Sequence, residues 1–136
     1  MLNYTIKAKS IKGGEAFSDV NKGVIQFDAS TERKDGLANP AELLLTSLAA
    51  CMLKNVERFS KILKYEYETA SIEVEGKRND APPFISEITY SLIITSEMEV
   101  RTLTLLHKNL LKFGTITNTL AKATKLNGTI STNKKQ

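Results

Sequence analysis

The sequence predicts an α+β domain in which an antiparallel sheet packs against helices. Three observations carry that prediction. Apolar and polar residues alternate near the N-terminus and again from Phe84 to Thr95. Between these stretches nothing breaks a helical pattern from Asn39 to about Leu63. The last third then passes from helical to strand-like patterning.

The first thirty or so residues read as strands. Tyr4, Ile6 and Ala8 alternate with Asn3, Thr5, Lys7 and Lys9, and Gly13-Gly14 marks a turn. Gly23 to Asp28 is a second strand-like run, and Ser30 to Gly36 is charged and turn-rich, as a loop would be. Asn39-Pro40-Ala41-Glu42 then has the form of a helix start. Asn39 can accept from free N–H groups, Pro40 fits the first turn, and Glu42 can close a capping box. Along that helix Leu45, Leu48, Met52, Val56, Phe59 and Leu63 fall on one side, and Lys54, Arg58 and Lys61 on the other. Cys51 lies at the seam between the two faces.

Ser71 to Lys77 alternates as a strand, and Asn79 to Pro83 turns it around. Ile88, Tyr90, Leu92 and Ile94 keep a clean period of two. Ser96-Glu97-Met98-Glu99 predicts a second capping box, opening a helix with Val100, Leu103, Leu106, Leu110 and Phe113 on one face and Gly114 at its C-cap. A short helix from about Thr117 to Lys125 and a last strand at Gly128 to Ser131 complete the order. The whole of 1–136 reads as a single domain, with a polar tail from about 132 to 136. The apolar face of the first helix is large for a chain of this size and suggests a second subunit, hence a homodimer.

At 136 residues the chain is long enough for one core without a disulfide or metal staple. It is 41% hydrophobic and 25% charged, an ordinary composition that excludes collagen-like, disordered and disulfide-scaffold classes. No apolar run approaches the ~20 residues that span a bilayer, and no signal-peptide pattern opens the chain. One cysteine permits no internal disulfide, and the expected location is the reducing cytoplasm. With one Cys and one His, no zinc site built from those types alone is possible; no metal or cofactor is expected. The phosphate-cradling glycine motifs and the Gly-x-Ser-x-Gly nucleophile motif are absent.

Net charge is +4, but seven basic residues and no acidic one fall between Val100 and Gln136. A basic third can bind nucleic acid. Only Phe113 is there to stack on a base, so a solvated lysine face is the preferred reading.

Chemistry has few residues to work with. Cys51 can be a small hydrophobe in a helix or a nucleophile. Lys54 at i+3 and Arg58 at i+7 share its side and would stabilise a thiolate or bind a substrate. Glu42 is a further catalytic candidate, although capping explains it. His107 sits among leucines with no carboxylate near it in sequence, and reads as a helix-face histidine before a general base.

The run Asn39-Pro40-Ala41-Glu42-Leu43-Leu44-Leu45-Thr46-Ser47-Leu48-Ala49-Ala50-Cys51 resembles the helix motif of the osmotically inducible protein C and organic hydroperoxide resistance (OsmC/Ohr) family. Pro82-Pro83-Phe84 and Gly114 to Leu120 are similar to later features of that family, so the resemblance spans about Gly13 to Ile130. It implies an OsmC-like fold, with antiparallel sheets wrapped around two long central helices in an intertwined homodimer. It also implies that Cys51 attacks a hydroperoxide, as the family's peroxidatic cysteine does, in an oxidative-stress role.

The chain departs from the family pattern in three places. Gly114-Thr115-Ile116-Thr117 stands where a Cys-Pro-x-Ser motif carries the resolving cysteine. Gly14-Glu15 stands where an arginine follows the N-terminal turn, and Ala41 replaces the first glutamate of the helix motif, leaving Glu42. The expected function is therefore a one-cysteine, thiol-dependent reductase of organic hydroperoxides, with an external thiol as resolver. The alternative is a non-catalytic dimer binding an apolar or anionic small molecule.

Overall fold

The computed structural model describes residues 1–134. Its chain divides into two compact units, Met1–Leu44 and Leu45–Gln136.

The first unit is a three-stranded antiparallel sheet in the order β1 (Lys7–Ser10), β2 (Glu15–Val20), β3 (Gly23–Asp28). The alternation from Asn3 onward yields a strand only at Lys7–Ser10, where Lys7 pairs with Asp19 and Ser10 with Ala16. β2 carries little periodic signal in its sequence and is held by pairing on both sides. Gly14 must be glycine, because its φ is +104° and a Cβ there would lie 2.4 Å from Ser30 Cα. β2 and β3 meet through Asn21 and Lys22, both at positive φ, as a two-residue hairpin turn requires. Beyond β3, Asp28 organises the loop by accepting from Ser30 N–H and Lys34 N–H, each at 2.9 Å.

Helix α1 (Pro40–Ile62) begins in this unit and continues through the second. The predicted capping box forms reciprocally. Glu42 N–H donates to Asn39 Oδ1 at 2.9 Å, and Asn39 N–H to Glu42 Oε1 at 3.1 Å.

In the second unit β4 (Thr69–Asp80) pairs antiparallel with β5 (Pro83–Thr95) across a cis Ala81–Pro82 turn. α2 (Val100–Phe113) and α3 (Thr115–Ala121) follow, then β6 (Lys125–Asn133). β6 lies parallel to β5, with Gly128 opposite Tyr90, so this sheet is mixed rather than wholly antiparallel. The two helices form the crossover that a parallel connection needs. The final strand starts three residues before Gly128 and runs on to Asn133, so part of the expected tail is ladder. Lys135 and Gln136 lie outside the described residues.

The core of this unit follows the predicted faces. Leu48, Met52, Val56 and Phe59 are buried along α1, and Ile88, Tyr90, Leu92 and Ile94 along β5. Leu106 and Leu110 complete it from α2. Val100 and Phe113, expected on that face, are largely exposed, although the Phe113 ring packs 5.9 Å from that of Phe59.

Of two helix-terminus expectations, the Ser96 cap is corrected and the Gly114 C-cap holds. Ser96 does not cap α2. Its Oγ donates to Glu66 C=O at 2.6 Å and accepts from Met98 N–H, and the helix starts after Glu99, which makes no side-chain cap. Gly114 does end α2, but at φ −76° and ψ 120° rather than in the left-handed conformation of a glycine cap.

Candidate functional site

Cys51 lies in the middle of α1, where helix geometry fixes its direction, and its side chain is half-buried and free. Leu48 and Met52 anchor the turn on the core side. Among the described residues the hydrogen-bond neighbours of Sγ are Asn55 Nδ2 at 3.8 Å and Thr117 Oγ1 at 3.9 Å. Asn55, one turn on, also donates to the Cys51 carbonyl at 3.0 Å, which holds its amide beside the sulfur. Thr117 arrives from α3, 66 residues away in sequence, and is 2% exposed. Both contacts are long and are hydrogen bonds only because sulfur is large.

Lys54 and Arg58 are exposed on α1. The Arg58 guanidinium lies over the Phe59 ring, 5.6 Å from its centroid. Neither belongs to the hydrogen-bond shell of Sγ.

In the first unit Glu42 does more than cap. While Oε1 accepts from Asn39 N–H, Oε2 accepts from Arg33 at 2.5 Å. That guanidinium, followed by the Asn39 N–H, lowers the Glu42 pKa, and the same contact raises that of Arg33. Asp28 is held down to about 2, first by the Ser30 hydroxyl and then by the Lys34 and Ser30 N–H groups.

His107 has a partner that the sequence did not suggest. Its Nε2 lies 2.6 Å from Tyr90 Oη, with the two rings edge to face. Desolvation lowers the His107 pKa and raises that of Tyr90. Among the described residues no group of three or more His, Cys, Asp or Glu could hold a metal ion, and no helix is long and apolar enough to cross a membrane.

Asn55, Thr117 and Arg33 are the residues that sequence reasoning missed. Asn55 stands at i+4 from Cys51 and was within reach of the same helical wheel. Thr117 closes the four-residue segment where the chain departs from the Cys-Pro-x-Ser pattern.

The sequence profile of the OsmC-like proteins matches residues 33–128. No curated protein matches the chain. Among solved structures, an OsmC-like protein from Mycoplasma pneumoniae superposes with a TM-score of 0.87 at 20% identity, covering 96% of this chain and 97% of that one. A protein from Aquifex aeolicus VF5 gives a TM-score of 0.86 at 22% identity over 100% of both chains. An organic hydroperoxide resistance protein from Legionella pneumophila gives 0.71 at 19% identity, covering 98% and 99%. At these identities the structures establish the fold. The profile covers well over half of the sequence, with the Cys51 helix inside it, and the chain is a member of the OsmC-like protein family.

Proposed function

We propose that this protein reduces organic hydroperoxides with Cys51 as its one nucleophile and a small external thiol as reductant, in the cytoplasm, as part of an oxidative-stress response. The observation that carries this reading is the Cys51 environment. Cys51 is half-buried and its sulfur has two polar side chains beside it, whereas a purely structural cysteine would be enclosed by apolar atoms. Similarity to the Legionella pneumophila hydroperoxide resistance protein supports the substrate class.

In this reading the Cys51 thiolate attacks the terminal oxygen of an alkyl hydroperoxide. The S–O bond forms, the O–O bond breaks, and the alkoxide leaves and is protonated to the alcohol. Sulfur is oxidised by two electrons to a sulfenic acid while the peroxide is reduced. A thiol then attacks that sulfur, forming an S–S bond as water leaves. A second thiol displaces Cys51 and carries away the disulfide. Lys54 and Arg58 add positive potential on the exposed side of the helix that carries Cys51. Glu42, engaged by Asn39 and Arg33, fixes the start of the helix that carries Cys51. A homodimer fits the apolar side chains left exposed, Val24 and Ile25 in β3 and Leu105 and Leu111 in α2.

The test is the rate at which Cys51 is oxidised by cumene hydroperoxide and by hydrogen peroxide, with a sulfenic-acid trap and intact mass as readout. The expected result is oxidation far faster than that of free cysteine, with the organic peroxide preferred. A rate equal to that of free cysteine would overturn the proposal.

A second reading, a non-catalytic dimer that binds a small apolar molecule, is favoured by a cleft of about 470 Å³ in the first unit. Ile11, Ala16, Phe17, Val24 and Leu37 line it, with Glu15 and Gln26 as polar groups. A ligand that raises the melting temperature equally in wild type and Cys51→Ser would support that reading.

A further inference from the structure

We propose that the Thr117 hydroxyl is the positioning group of the Cys51 sulfur, and that residue 114 is glycine because any side chain there would take that hydroxyl's place. This rests on Cys51 being the nucleophile.

Threonines inside helices ordinarily donate to the carbonyl one turn back. Thr104 Oγ1 does so to Val100 C=O, and Thr119 Oγ1 to Thr115 C=O, each at 2.9 Å. Thr117 does not. It is 2% exposed, and among the described residues the Cys51 sulfur is the one hydrogen-bond neighbour of its hydroxyl, at 3.9 Å. A buried hydroxyl thus has a thiol as its partner, across a contact in which either group can donate, and a thiol is weak in both roles. A thiolate accepts far better, because hydrogen bonds to an ionised partner are shorter and stronger. The arrangement therefore suits the charged form of the sulfur. β-Branching restricts χ1, so the hydroxyl has few other directions available.

Gly114 supplies the second, independent observation. It is buried, and its φ of −76° and ψ of 120° are a conformation open to any residue, so the backbone does not require glycine. Space does. A Cβ at this position would lie 2.7 Å from Thr117 Oγ1, 3.0 Å from Leu110 C=O and 3.1 Å from Thr117 Cβ. The first of these is closer than Cβ atoms approach, and the packed threonine has one torsion with which to yield. A side chain at 114 and the Thr117 hydroxyl beside Cys51 are therefore alternatives. In this chain the hydroxyl occupies the space that a cysteine at 114 would need, and the oxidised sulfur is left to a thiol from outside.

The test uses the full-length chain and reads Cys51 alkylation by iodoacetamide from about pH 6 to pH 9 by intact mass, beside cumene hydroperoxide oxidation of the same variants. Thr117→Val keeps the shape and removes the hydroxyl. It is expected to slow alkylation near neutral pH by roughly tenfold, the size of one charge-assisted hydrogen bond, and to move the rate profile to higher pH. Thr117→Ser, which keeps the hydroxyl, is expected to restore the rate to within about twofold of wild type. Gly114→Ala should shift the profile in the same direction as Thr117→Val. Wild-type alkylation in folded Thr117→Val overturns the proposal. Should that variant not fold, folded Gly114→Ala with a wild-type profile overturns it equally. The two readings fail separately. If wild type is oxidised no faster than free cysteine while Thr117→Val still slows alkylation, the peroxidase reading falls and the positioning role stands.

Discussion

Tyr90 Oη and His107 Nε2 lie 2.6 Å apart and tie β5 to α2 at the edge of the core. Desolvation lowers the His107 pKa below its ordinary 6.5. The unfolded chain therefore binds a proton on this ring that the folded chain does not, over the interval below pH 6.5. Stability is full above that pH and declines as pH falls through it. The chain has one histidine, so no other side chain with an ordinary pKa titrates between about pH 5.5 and 7.5. The urea midpoint of wild type is expected to drop across that window, and that of His107→Gln to stay flat. A flat wild-type profile would show that the ring is as easily protonated folded as unfolded.

The capping box gives a second expectation. Asn39→Ala removes the acceptor of Glu42 N–H and is expected to lower stability by about 1 kcal/mol, read as a lower urea midpoint with unchanged slope. Arg33→Ala should cost less, because its ion pair with Glu42 is exposed and screened by water, and its effect should fade as salt is raised. An Arg33→Ala loss that exceeds that of Asn39→Ala and resists salt would reverse this ranking.

What the sequence made legible was mostly local. Asn39 and Glu42 are three residues apart, and the cap needs nothing beyond them. The α1 and β5 faces follow from periods of 3.6 and 2 within one element each. The family motif ahead of Cys51 was readable for the same reason. Ser96-Glu97-Met98-Glu99 has the same local pattern as a cap, yet fails as one, because the helix begins only after Glu99, while the Ser96 hydroxyl donates to the carbonyl of Glu66, 30 residues back. The parallel direction of β6 depends on where two helices deliver the chain, which no periodicity encodes. Cys51 and Thr117 meet only once α3 is seated on α1, so the residue beside the sulfur was hidden behind a departure from a motif.

Asp28 predicts the acid limb of the stability curve. It accepts from the Ser30 hydroxyl, Ser30 N–H and Lys34 N–H, and its pKa is lowered from 3.8 to about 2. A depressed carboxylate contributes stability that is present above its unfolded value and lost as pH falls from about 4 toward 2. Asp28→Asn keeps one acceptor oxygen and gives up the charge. It is expected to be less stable than wild type at neutral pH and to lose less on acidification, and thermal melts at pH 6 and at pH 3 separate the two effects. Equal acid sensitivity in both proteins would assign the acid limb to other carboxylates.

Gly128 stands opposite Tyr90 in the parallel pairing of β5 and β6. A Cβ there would lie 2.3 Å from the Tyr90 carbonyl oxygen and 2.4 Å from the nearest ring carbon. Neither neighbour can yield cheaply. The carbonyl belongs to the central strand of the sheet, and the ring is buried and held by His107. Gly128→Ala must therefore push β6 away from β5, and a loss of about 3 kcal/mol or a failure to fold is expected. Truncating the ring should not rescue it, because the carbonyl contact remains; Tyr90→Leu combined with Gly128→Ala should be no more stable than Gly128→Ala alone. In the single variant the displaced Tyr90 should also loosen its contact with His107, so the His107 proton resonance should move toward its solvent-exposed position. Gly128→Ala with a wild-type melting temperature and an unmoved His107 resonance would mean that the two strands stand farther apart than this register places them.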